Sequence, residues 1–232
     1  MSSTAAHRVS LLGALVVLGL TLSGLTLPAV GMCGGLASNY PPIVAFELAR
    51  SVADLHAIFG SAAGACRSAV AARMDLINWI DSLAFIPAYG VFLAFFFIAK
   101  RATGENVARA GLVIVIAACL ADYSENYALF QISSDPDSTR WLTLLMWSTE
   151  TKWVGLGIAG ALGAVLIWNW QRAFGWLAAL LCAVGTVASF ASVPAPAIVG
   201  PYLSNALALG WLVFLAVDVR ESIRRAPIRS AT

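Results

Sequence analysis

Residues 111–130 read GLVIVIAACLADYSENYALF, an apolar run long enough to cross a bilayer as a helix, with Asp122, Glu125 and Asn126 inside it. Residues three and four apart share a helix face, so these polar side chains point the same way. A charge at that depth costs about 3 kcal/mol or more, which makes such groups rare and usually functional. Two carboxylates so close together repel, and both are not ionised at once without a cation beside them.

The rest of the chain fits a membrane setting. Of its 232 residues 60% are hydrophobic and 11% charged, with mean hydropathy +0.83. A soluble domain carries about 25% charged residues. The net charge is +2 and the basic residues cluster only in the C-terminal tail, which excludes nucleic acid as a natural partner. His7 and His56 stand far apart, so no histidine-built metal centre is expected. A Ser nucleophile elbow, a P-loop, an H-E-x-x-H helix and a dinucleotide fingerprint are all missing.

Hydropathy predicts an all-α polytopic transmembrane helix bundle of about six spanning helices, a single transmembrane domain over residues 1–232. The spans are 9–29, 76–99, 107–130, 141–168, 174–193 and 202–218. The first is read as a retained helix: Ala29 and Gly31 suggest a cleavage pattern, but the run is longer than a secretory core. Pro87 should kink the second span, and Pro194, Pro196, Gly200 and Pro201 should make a tight turn before the sixth. Phe95, Phe96 and Phe97 read as lipid-facing bulk. The glycines at 155, 157, 160 and 163 read as close helix packing.

Residues 31–73 form an outer helical cap. Val44, Leu48, Val52, Leu55 and Phe59 fall at helical spacing, Glu47, Arg50 and Asp54 lie opposite as a solvated face, and Gly60 ends the segment. The Lys/Arg bias orients the chain. Arg8, Lys100, Arg101, Arg109, Arg172, Arg220, Arg224, Arg225 and Arg229 fall on one side, and Arg50, Arg67, Arg73 and Arg140 on the other. Both termini are therefore expected in the cytoplasm of a bacterial inner membrane. Trp79, Trp141, Trp168, Trp170 and Tyr202 should sit at the interfaces. Cys33 and Cys66 share the outer segment, where a disulfide is expected, whereas Cys119 and Cys182 read as small buried hydrophobes.

The polar residues of three spans share one depth. Asn78, Asp81, Ser82, Phe85 and Tyr89 make one face of the second span. In the fourth, Thr149 and Lys152 share a face and Glu150 is turned about 200° from Lys152. Counting from the short loop between the third and fourth spans puts Asp122 level with Thr149. Asp81, Asp122, Glu125 and Lys152 are thus expected to converge in the outer half of the membrane, with Asn78, Asn126, Thr149, Glu150 and Tyr89 around them as substrate- or ion-binding residues. The acids outnumber Lys152, so protons, a cation near Asp122 and Glu125, or an arginine folded in from outside must balance them.

This pattern suits a membrane-embedded enzyme or binder of a lipid or amphiphile. Asp122 and Glu125 would be the acid/base pair, Lys152 the electrostatic partner and Asp81 an orienting group. A proton- or cation-linked transporter is the alternative, weakened by polar residues confined to the outer half and by the lack of an inverted repeat. A structural subunit, its polar cluster holding helices in register, is the third.

Overall fold

The computed structural model describes residues 2–25, 32–35, 40–62, 64–168 and 172–224. In chain order the helices are α1 (Ser3–Leu25), α2 (Pro42–Glu47), α3 (Val52–Phe59), α4 (Ala65–Ile80), α5 (Ile86–Ala99), α6 (Glu105–Ser134), α7 (Leu142–Ile167), α8 (Arg172–Ala191) and α9 (Pro196–Arg224). A π-helical turn, Asp81–Phe85, joins α4 to α5 without a break. Six of these stretches are long and apolar enough to cross a membrane, and no strand occurs among the described residues. The protein is a multi-pass, all-α membrane bundle.

The spanning helices pack in a closed ring, α1–α5–α6–α7–α8–α9 and back to α1, with α4 leaning on α6. Large apolar side chains such as Leu83, Val113, Leu180 and Ile198 point outward and are exposed. That is untenable in water and neutral in lipid, where only backbone groups must be satisfied internally. Small residues allow the close approaches. A Cβ on Gly163 would lie 2.2 Å from the Phe214 ring, and one on Gly157 would lie 2.7 Å from the Ser189 Cβ.

Several boundaries differ from the expected spans. The second helix begins at Ala65, so residues 65–73 belong to it and not to the cap. Pro87 does not break it. Its ring would clash with the carbonyl four residues back, and the preceding π-helical turn absorbs the misfit, with Ile86 N–H bonding to the Asp81 carbonyl. The last helix starts at Pro196 and carries Pro201 inside, six residues before the expected start. Pro196 takes the first helical position, where its missing N–H has no partner to lose.

Phe96 and Phe97 are fully buried, not lipid-facing, because α5 has α1, α6 and α9 around it; Phe96 stacks on Phe214 at 4.3 Å. The end of the first expected span (26–29), residues 30–31 and 36–39, Trp170, Arg225 and Arg229 lie outside the described residues.

The cap is two short helices, not one. Ser51 begins α3 anew: its hydroxyl accepts from Asp54 N–H while the Asp54 carboxylate accepts from Ser51 N–H, at 3.2 and 2.9 Å. Gly60 ends α3 at φ 76°, a conformation L side chains avoid. Cys33 and Cys66 are bonded, with Cα atoms 5.9 Å apart, tying the start of the cap to the first turn of α4. Arg67 and His56 both contact Asp137, at 2.8 and 2.7 Å, and so join α3, α4 and the α6–α7 loop.

Candidate functional site

Lys152 stands at the centre of the buried polar group. Its Nζ lies 2.7 Å from Glu125 Oε2, 3.0 Å from Glu47 Oε2 and 3.3 Å from Asp122 Oδ1. The Trp153 ring closes another side, 4.7 Å from the ammonium. Asp122 and Glu125 come from one face of α6, Lys152 from α7 and Glu47 from the last residue of α2. Lys152, Asp122 and Glu125 are all buried, Glu125 completely.

A second layer of bonds fixes these groups. Tyr89 OH on α5 donates to Asp122 Oδ2 at 2.7 Å. Asn126 Nδ2 donates to Asp81 Oδ2 at 2.6 Å and to Ser82 Oγ at 2.9 Å, so Asp81 joins through Asn126 and not through Lys152. The π-helical turn carries both acceptors; it turns Asp81 and Ser82 together toward α6 at the point where Pro87 perturbs the helix. One turn farther out, Asn78 is fully buried and its amide has no hydrogen-bond partner among the described residues. Two turns out from Asp81, Ser133 Oγ donates to Asp75.

The cover over the site is α2. Thr149 Oγ1 donates to the Glu47 carbonyl at 3.0 Å, and Arg50 pairs with Glu150 at 2.7 Å. Tyr40 OH donates to the Pro196 carbonyl at 3.1 Å. Gly200 makes room for it, since a Cβ there would lie 2.2 Å from the Tyr40 hydroxyl. Burial drives the Glu47 carboxyl above its ordinary value, against the opposing pull of Lys152. The Tyr40 phenol is pushed up to about 12, chiefly by burial.

Of the residues expected at the site, Asp122, Glu125 and Lys152 touch directly. Tyr89, Asn126 and Asp81 follow by one bond each, Thr149 holds the cover, and Asn78 is buried nearby on the same helix face. Glu150 does not join them, because a straight α7 turns it away from Lys152 and toward Arg50. Glu47 is the residue sequence reasoning missed. The spacing that sets it on a solvated face holds only for one continuous cap helix, and the break at residues 48–51 separates its direction from that of α3. The Pro42 start and the Ser51–Asp54 capping pattern are the signals that two helices are present.

A further correction concerns the opposite end of the bundle, where few polar groups were expected. His7, Ser10 and Asp218 are buried there in mutual contact. Asp218 interrupts an otherwise apolar run and was legible on that ground.

Among the described residues, no three His, Cys, Asp or Glu side chains are arranged to hold a metal ion. Comparison with protein-family models, with curated proteins and with solved structures gives no match.

Proposed function

We propose that this membrane protein exchanges protons at the Lys152 cluster, as a small proton-linked transporter whose α2–α3 segment covers the site. The observation behind this reading is charge. Glu47, Asp122 and Glu125 face one largely buried ammonium, and Asp81 is held beside them through Asn126. Four ionised carboxylates against one cation do not persist in a medium of low dielectric. Protons are the counter-charge that needs no cavity, and Glu125 has no exposure through which a larger ion would reach it.

Proton loss raises the negative charge around Lys152. Of the four acids, Glu47 alone is carried by a segment outside the spanning helices, so its helix is the element free to move away. Opening α2 would expose Asp122 and Lys152 to the cap side of the membrane.

Acid/base chemistry on a lipid or amphiphile is the second reading, supported by the same cover. A head group displacing Glu47 would meet Lys152, with Asp122 and Glu125 as the acid/base pair and Asp81 as an orienting group. The acid surplus disfavours an anionic head group.

Reconstitution into liposomes loaded with a pH-reporting dye tests the first reading. Wild-type protein should dissipate an imposed pH gradient, and Asp122→Asn or Glu125→Gln should slow it at least tenfold while folding normally. No dissipation by the wild type rejects proton exchange. An amphiphile that co-purifies with the wild type and is lost from both Asp122→Asn and Lys152→Met supports the second reading instead.

A further inference from the structure

His7, Ser10 and Asp218 come from the two ends of the chain and meet where α1, α5 and α9 pack together. His7 Nδ1 lies 2.6 Å from Asp218 Oδ1. Ser10 Oγ lies 2.5 Å from Asp218 Oδ2 and 2.7 Å from the Phe92 carbonyl. All three side chains are buried.

The hydroxyl has one proton and two acceptors, and this is what distinguishes the group from simple helix glue. With Asp218 ionised, Ser10 donates to the carboxylate. With Asp218 protonated, the acid can donate to Ser10 Oγ while Ser10 turns its proton to the Phe92 carbonyl. Both states satisfy the Ser10 and Asp218 donors, so a proton on the carboxylate can come and go without stranding either group. Imidazole beside a carboxylate is the side-chain pair best suited to hold a proton near neutral pH.

Among the described residues, charged groups near it come from α1, α5 and α9. Lys100, at the end of α5, is near enough to Asp218 to act on it electrostatically. Arg8 on α1 is exposed; on α9, Arg220 lies about 200° around the helix from Asp218 and Glu221 is half-buried one turn on.

The group is connected to the Lys152 cluster along α5. Phe92, whose carbonyl faces Ser10, is three residues along α5 from Tyr89, whose hydroxyl holds Asp122. That is about 4.5 Å of helix rise. Between them lies the Trp211 ring, 5.7 Å from Tyr89 and 6.1 Å from Phe92. Asp218 is two turns along α9 from Trp211, on the same face.

We infer that His7, Ser10 and Asp218 form a second intramembrane proton-binding site, separated from the Lys152 cluster by the Tyr89–Trp211 aromatic layer. That the two sites exchange protons rests on the transport reading above; that the second site binds a proton does not.

The chain has two histidines, so His56→Gln leaves His7 as the single imidazole. Solid-state NMR of the ¹⁵N-histidine-labelled variant in lipid bilayers should show the His7 ring gaining and losing a proton with a defined midpoint as pH is varied. Asp218→Asn should move that midpoint to at least tenfold higher proton concentration. Ser10→Ala, a milder change, should move it measurably and serves if the first variant does not fold. A His7 spectrum fixed in one form across the range, or a midpoint that a folded variant leaves unmoved, overturns the site. In dye-loaded liposomes Asp218→Asn should slow proton flux at least tenfold, and wild-type flux in that variant overturns exchange between the sites. If the wild type itself carries no flux, the transport reading fails while the titration still decides the second site.

Discussion

Glu47 Oε2 stands 3.0 Å from Lys152 Nζ, a contact between a six-residue helix outside the spanning segments and a buried ammonium inside one. It makes the state of the buried cluster depend on the position of the cover. Thr149 and the Arg50–Glu150 pair hold the same cover from α7, so α7 both carries the ammonium and anchors what hides it.

The cover should respond to pH through Glu47. Its closed-state value is raised above the ordinary 4.5, so the closed form binds the proton more tightly than the open one. The resulting stabilisation is complete below about 4.5 and is lost as pH rises through the raised value. Hydrogen exchange in α2 should therefore speed up as pH increases beyond intrinsic exchange, and Glu47→Gln should flatten that dependence. A wild-type profile that follows intrinsic exchange alone refutes it.

Lys152→Met leaves buried carboxylates without their ammonium. Breaking a buried pair from one side costs about 3–5 kcal/mol, and unfolding in bicelles at neutral pH should show a loss of that order. Adding Glu125→Gln should recover part of it, because one of the stranded charges is gone. A single variant as stable as wild type would mean the carboxylates were already neutral.

Asp137 should show a low-pH effect of opposite sign. Hydrogen bonds from Arg67 and then His56 hold its carboxyl down at about 2. Its folded value lies below the ordinary value of about 3.9, so the stabilisation is present above about 4 and fades as pH falls toward about 2. Exchange of α3 amides should speed up in that window relative to Asp137→Asn, in which the link is already cut. Identical profiles would show that the contact does not hold α3.

Gly163→Ala should strain the α7–α9 contact, since the added Cβ meets the Phe214 ring at 2.2 Å. Overpacking of this kind costs about 1–3 kcal/mol. Phe214→Leu in the same chain should return part of the loss, and a thermal melt of both variants checks it.

The amino-acid sequence by itself determined the six spans and one face of the site. Span length follows from bilayer thickness, and Asp122, Glu125 and Asn126 share a face at any tilt because their spacing matches the helical repeat. The depth match between Asp122 and Lys152 followed from the short loop joining their helices, and the Cys33–Cys66 bond from the two cysteines sharing one segment.

Tertiary structure decided who meets whom at long range. Glu47 turns inward because α2 ends before α3 begins, and a six-residue helix has too few turns for periodicity to mark its buried face. His7 and Asp218 meet across 211 residues, a pairing set by the ring closing α9 onto α1. Phe96 and Phe97 are inside because α5 has neighbours on several sides. Lipid is as apolar as the packed interior, so hydrophobic side chains in a span carry almost no signal of which way they face, and only helix packing supplies it.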